Sequence, residues 1–136
     1  MIFIDTGAFV ARFRASDDYH APALRGWAEL QRGKTRMFTT NIVLLEAAKL
    51  LGGVRGFKWA AARLEEWLSS EKLTIFHSDK DAEIAAAEWM ARFADQEIGP
   101  ADCISFVFMQ RHRIKRAFAF DRDFRVAGFE LWPTER

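Results

Sequence analysis

Ile2-Phe3-Ile4-Asp5-Thr6-Gly7-Ala8-Phe9 is the stretch on which the fold turns. Its apolar run is short and stops at an acid, a hydroxyl and a glycine, and a helix is expected from Ala8 to about Arg14. The same alternation recurs along the chain. Met37-Phe38-Thr39-Thr40 reads as a strand, and Thr40 or Asn41 can cap a helix from Ile42 to Leu51 that Gly52-Gly53 is expected to terminate. Leu73-Thr74-Ile75-Phe76 reads as the next strand, Ala117-Phe118-Ala119-Phe120 as another ending at Asp121, and Phe129-Glu130-Leu131-Trp132 as the last, stopped by Pro133. Longer amphipathic runs lie between them. Pro22 starts a helix that ends near Gly33, with Ala23, Leu24, Trp27 and Leu30 on one face. Phe57, Ala60, Leu64, Trp67 and Leu68 fall at helical spacing between Gly56 and Ser69, and Ala82, Ala85, Ala86, Trp89, Met90 and Phe93 do so further on. Gly99-Pro100 opens a helix to about His112, since proline suits a first helical position. Strands alternating with helices predict an α/β fold whose parallel sheet is covered on both faces. Sites in such folds form beyond the carboxyl ends of the strands, near the topological switch point.

Composition agrees with this reading. The 136 residues are the length of one ordinary domain, taken as 1–136, and 50% are apolar. Twenty Lys plus Arg stand against 19 Asp plus Glu, which excludes a basic nucleic-acid-binding tail and an acidic disordered tail but leaves room for local clusters. The single cysteine, Cys103, excludes an intramolecular disulfide and a cysteine-based zinc cage, and His20, His77 and His112 show no ligand spacing. Met1-Ile2-Phe3-Ile4-Asp5 lacks a signal-peptide pattern, and no apolar run approaches the ~18 residues of a membrane span. A reduced, cytoplasmic protein with no membrane partner is expected.

Four acids occupy places where chemistry can form. Asp5 and Asp121 each end a strand, Asp102 sits in the first turn of a helix, and Glu46 lies inside Ile42-Val43-Leu44-Leu45-Glu46-Ala47-Ala48. Each alone has an ordinary alternative. Asp5 can cap a helix, Asp102 can complement a helix dipole, Asp121 can serve a turn, and Glu46 can belong to an ion pair or an exposed helix edge. Within that apolar segment a buried Glu46 would be costly unless paired or liganded. Together, all four can be placed at one end of the sheet, with no conspicuous Lys or Arg beside each. Converging carboxylates repel unless a cation neutralises them. A hard divalent ion, Mg²⁺ or Mn²⁺, is the economical solution, and it can activate water and stabilise charge on a phosphodiester.

The segments 2–9, Thr40-Asn41-Ile42-Val43-Leu44-Leu45-Glu46-Ala47-Ala48-Lys49-Leu50-Leu51, Pro100-Ala101-Asp102-Cys103-Ile104-Ser105 and Ala117-Phe118-Ala119-Phe120-Asp121-Arg122-Asp123-Phe124 resemble the PIN-domain family in order, spacing and setting. The likeness is to its small single-domain ribonucleases of the VapC toxin type and spans essentially the whole chain. It implies a PIN-like three-layer α/β/α sandwich with a central parallel sheet of order 3-2-1-4-5. It implies a Mg²⁺- or Mn²⁺-dependent endoribonuclease that hydrolyses phosphodiester bonds in RNA as the toxin of a type II toxin–antitoxin pair. It further implies a homodimer and an inhibiting antitoxin protein. Carried over by position, the catalytic and metal-holding acids are Asp5, Glu46, Asp102 and Asp121, with Asp123 as an accessory acid. Thr6 matches a hydroxyl that orients water near the metal. Ser105, three residues from Asp102 on the same helix face, is a candidate contact to that water or to the scissile phosphate. One departure is Phe120, where many relatives carry Thr or Ser, so a polar group beside Asp121 is lost.

An acidic pocket repels a polyanion, so basic residues should flank it. Residues 111–125 hold Arg111, Arg113, Lys115, Arg116, Arg122 and Arg125, and Arg12 and Arg14 close the first helix. Arg122, Arg12, Arg14, Arg113 and Lys115 are therefore candidate RNA contacts, through phosphate and without base specificity. Trp59, Trp67 and Trp89 read as core, while Tyr19, His20 and Trp27 are candidates for a dimer or partner groove. Cys103 reads as a packed helix residue. A receiver domain would pair two acids after the first strand and place one after the third, and a haloacid-dehalogenase-like phosphatase would need a DxDxT there. The glycines at 52, 53 and 56 lack the Lys-Ser/Thr ending of a P-loop. The alternative to an enzyme is a non-catalytic PIN-like scaffold that binds RNA or protein.

Overall fold

The computed structural model describes residues 1–133. Strands β1 (Ile2–Ile4), β2 (Met37–Thr40), β3 (Leu73–Phe76), β4 (Arg116–Phe118) and β5 (Glu130–Trp132) form one five-stranded sheet in the order β3-β2-β1-β4-β5. Every pairing is parallel, with Phe3 opposite both Phe38 and Ala117. The helices are α1 (Thr6–Phe13), α2 (His20–Arg32), α3 (Asn41–Arg55), α4 (Phe57–Ser69), α5 (Lys80–Arg92), α6 (Pro100–Arg111) and the single turn α7 (Asp123–Val126). α1 packs on α2 and α3, α3 on α4, and α5 on α6.

Alternate side chains of the central strands feed two cores. Phe118 meets Trp27 of α2, while Phe3 meets Phe124 of α7. This is why β1 is apolar and buried at every position. Helix α6 is buried from Cys103 through Met109, which accounts for its lack of a polar stripe. Trp67 and Trp89 are core residues, as read from the sequence, while Trp59 is only partly buried and packs against that core, edge-on to Phe13.

Several boundaries differ from expectation. Helix α3 does not stop at Gly52-Gly53 but continues to Arg55 and ends at Gly56, whose φ of +92° suits glycine. Gly52 serves packing instead: a Cβ there would lie 2.5 Å from the Phe57 ring. Strand β4 ends at Phe118 rather than Phe120, because its last partners, Ile4 and Trp132, end their own strands there. The one-turn α7 carries too few residues to show a period and was not foreseen. Leu24, Phe57, Leu68 and Met90 were expected on buried faces and are exposed.

One close approach gives a stability prediction. A Cβ on Gly26 would lie 2.7 Å from the tip of the Phe118 ring, which is fully buried and has no room to swing. Gly26→Ala is expected to destabilise the fold by about 1–3 kcal/mol through overpacking, despite alanine's better helix propensity. Chemical denaturation measures this; an unchanged midpoint would refute the packing account.

Candidate active site

The order β3-β2-β1-β4-β5 puts the switch point between β1 and β4, where the chain, having built one half of the sheet outward from β1, crosses to the other side. The backbone ties this point together, since the Asp5 N–H donates to the Phe118 carbonyl at 3.0 Å. Asp5 leaves β1 and Asp121 follows β4, so both stand at the crevice. Helices that connect parallel strands run back against them, so their N-termini lie at the carboxyl edge of the sheet. Asp102 in the first turn of α6 is brought there for that reason, as is the start of α3 that carries Glu46.

These residues line one cavity of about 640 Å³, together with Thr6, Arg14, Asp17 and Leu50. Asp5 is only 5% exposed. It occupies the cap position of α1 yet makes no side-chain cap bond further into the helix, and the one backbone group acting on its carboxyl is the adjacent Thr6 amide. Asp102, Asp121 and Asp123 each offer an oxygen within 4.8 Å of the others. The Asp123 N–H also donates to Asp121 Oδ1 at 2.9 Å, a local turn that starts α7 and swings the third carboxyl into the group. Asp123 therefore stands inside the tightest cluster rather than at its margin.

Electrostatics follow from this convergence. Burial, reinforced by Asp102, holds the Asp5 carboxyl well above the usual carboxylate range, and the Thr6 amide opposes the shift only in part. Burial, then the charges of Asp121, Asp123 and Glu46, push Asp102 up to about 7. Asp123 is raised by burial and by Asp121, against the pull of Arg122. Among the described residues the only salt bridge is Arg63–Glu66, so no cavity carboxylate forms an ion pair. An all-oxygen donor set under mutual repulsion suits a hard divalent cation.

A PIN domain model matches residues 2–130. The chain belongs to the PIN domain family. It is 36% identical over 129 residues, 95% of either chain, to the 23S rRNA-specific endonuclease VapC20 of Mycobacterium tuberculosis, in both strain CDC 1551 / Oshkosh and strain ATCC 25618 / H37Rv. The crystal structure of that VapC20, described as a sarcin-ricin loop cleaving toxin, superposes with a TM-score of 0.86 at 34% identity, covering 95% of this chain and 96% of that one. The fold is also that of VapBC2 from Rickettsia felis bound to a promoter DNA fragment, with a TM-score of 0.65 at 16% identity over 96% and 97% of the two chains. FitAB bound to a DNA fragment gives a TM-score of 0.66 at 17% identity over 100% and 99%.

Within this PIN domain several side chains depart from their expected settings. Glu46 is exposed at the cavity rim, on the outer side of α3 with Leu45 and Lys49, so the cost of burying it does not arise. Ser105 is fully buried and its hydroxyl donates to the Ala101 carbonyl at 3.3 Å, within its own helix. It does not line the cavity. Arg113 and Lys115 follow the C-terminal end of α6 and precede β4, which puts them at the amino edge of the sheet, opposite the acids. The Arg12 guanidinium is half-buried, 5.0 Å from the Trp27 ring centre and 5.2 Å from that of Phe13. Burial lowers its pKa, opposed by Glu66. Arg14 lines the cavity and Arg122 is exposed between Asp121 and Asp123, so these two cations remain beside the acids. Asp17, a further acid in the cavity wall, was missed because it sits in a polar stretch with no periodic pattern. In the early helical region Trp27 donates to the Ala8 carbonyl and His20 Nδ1 to that of Ala11, both inward, leaving Tyr19 exposed. Cys103 is buried, and burial pushes its thiol up to about 11.

Helix length and hydropathy give no membrane-crossing helix among the described residues.

Proposed function

We propose that this PIN domain, taken as 1–136, is a Mg²⁺- or Mn²⁺-dependent endoribonuclease that hydrolyses phosphodiester bonds. The observation that carries this reading is the meeting of Asp102, Asp121 and Asp123 within 4.8 Å, with no cation of the described residues paired to them. When bound, Mg²⁺ or Mn²⁺ supplies Lewis acidity at the phosphate and lowers the pKa of water. Asp102, Asp121 and Asp123 hold it, with the buried carboxyl of Asp5 beside them. Glu46, solvated at the rim, positions the attacking water or takes its proton. Thr6 orients that water with its hydroxyl. Arg14 and Arg122 hold the substrate phosphates. Cys103 takes no part, because a thiol raised to about 11 is protonated at neutral pH.

RNA is the substrate class, and structured ribosomal RNA is the first to test, given the 36% identity to a 23S rRNA-specific endonuclease. The chain acts in the cytoplasm as the toxin of a toxin–antitoxin pair, held inactive by an antitoxin protein. It forms a homodimer, for which Leu50 and Val54, exposed one turn apart on α3, offer an apolar contact beside the acid cavity; a monomeric mass by light scattering would oppose this. The deciding experiment is cleavage of ribosomal RNA by the free chain with Mg²⁺ or Mn²⁺, with and without EDTA. Cleavage that EDTA abolishes is expected. Cleavage indifferent to EDTA would refute the metal mechanism, and no cleavage would favour a non-catalytic scaffold.

A further inference from the structure

A second cavity, of about 810 Å³, opens beside the acids between α2 and the carboxyl ends of β4 and β5. Two chain segments, 17–19 and 120–121, lead from one cavity to the other. Phe120 directly precedes Asp121, and the Tyr19 N–H donates to Asp17 Oδ1 at 2.8 Å, where Asp17 lines the acid cavity. The Tyr19 and Phe120 rings stack with centroids 4.6 Å apart and 9° between their planes. Phe120 covers one face of Tyr19, which is still 41% exposed. Arg25 and Arg125 stand in the same groove, and among the described residues neither forms a salt bridge. Asp18 and Glu29 share the wall.

We propose that this groove is a nucleobase subsite for the RNA, next to the scissile phosphate; the proposal rests on the nuclease reading above. A base needs an aromatic face, and the exposed ring of Tyr19, backed by Phe120, supplies one. Arg25 and Arg125 meet the flanking phosphates. Asp18 and Glu29 suit the exocyclic amines of a base and disfavour a bare anion, so the groove fits a nucleotide within a strand better than free phosphate. The cavity volume lies in the range of small-ligand sites. Continuity with the acids favours RNA over a protein segment, because Phe120 directly precedes Asp121 and puts the groove within one nucleotide's reach of a phosphate at the acids. The replacement of a polar residue by Phe120, a departure within the resemblance, acquires a purpose here: it props the stacking ring.

The test measures binding and cleavage of a short fluorescein-labelled single-stranded RNA of mixed sequence. Binding is read by anisotropy in an Asp102→Asn background without added metal, and cleavage in the otherwise unaltered chain with Mn²⁺. Tyr19→Ala is expected to weaken binding about tenfold and to raise KM correspondingly, while Tyr19→Phe stays within about twofold. Arg25→Ala and Arg125→Ala are each expected to reduce the salt slope of binding by about one. Thermal midpoints close to that of the parent show that Tyr19→Ala still folds; should it not, the arginine variants carry the test. If the unaltered chain cleaves this RNA but neither Tyr19→Ala nor the arginine variants change affinity or KM, the subsite is refuted and the groove is left to a protein segment. If this RNA binds through Tyr19 and neither it nor ribosomal RNA is cleaved, the groove stands and the nuclease reading falls. If neither this RNA nor ribosomal RNA binds, both fall.

Discussion

Asp102→Asn is expected to lower metal-supported RNA cleavage by more than about 100-fold. Groups that merely orient a metal ligand cost about 10–100-fold when removed, and a ligand itself should cost more. Asp102 is the acid on which the others converge. It shares the tight cluster with Asp121 and Asp123, and its charge raises the Asp5 carboxyl. Asparagine keeps the shape and one oxygen but removes the charge that holds a divalent ion. Asp5→Asn is expected to act in the same direction. Gel assays of RNA cleavage with Mn²⁺ measure both, and full activity in either variant would refute the assignment. The same substitution should make the metal-free protein more stable near neutral pH, because it removes a carboxylate that the fold charges only at a cost.

The metal-free chain is expected to lose stability as pH rises from about 4 to about 7, and added Mg²⁺ or Mn²⁺ should restore it. The sign follows from where the proton is held more tightly. Asp102 titrates at about 7 in the folded protein against an ordinary value of 3.8. Asp5 is shifted in the same direction. Below the unfolded value both states are protonated and the full contribution is present. As pH climbs through the folded value the native state must accept a buried charge beside other acids, and that contribution is lost. For Asp102 alone the loss is up to ~4 kcal/mol at 1.36 kcal/mol per pKa unit. An ion that binds the folded chain reverses this by mass action. Thermal melts across this window, with EDTA and with Mn²⁺, measure both effects. A midpoint that rises with pH in EDTA would refute the account, and so would the absence of any metal-dependent gain at neutral pH.

The elements that were legible in the sequence are those whose pattern is local. All five strands and the six long helices announce themselves by apolar runs and helical spacing, and Thr40 does cap α3, accepting from the Val43 N–H at 3.1 Å. The errors have a common origin in partners remote in sequence. Gly52 looked like a stop signal, yet its role is to admit the Phe57 ring. Ala119 and Phe120 looked like strand, yet the neighbours of β4 had already ended. For Glu46 the sequence left an ion pair or an exposed helix edge open, and only the packing of α3 turns it outward to the cavity rim. Arg113 and Lys115 looked close to Asp121 along the chain, yet a strand separates them across the sheet.

What the sequence by itself determined is the alternation of strands and helices and the candidate acids at their ends. Period and end signals depend on neighbours a few residues apart. Tertiary structure alone decided which acids meet. Asp123 joins Asp102 and Asp121 because a hydrogen-bonded turn after β4 and the reversed direction of α6 bring residues 21 positions apart to one point. It also decided which basic groups face those acids, leaving Arg14 and Arg122 beside them, turning Arg12 into an aromatic stack and sending Arg113 to the far edge. Charge acts through distance in space, and the parallel sheet, rather than spacing along the chain, sets that distance.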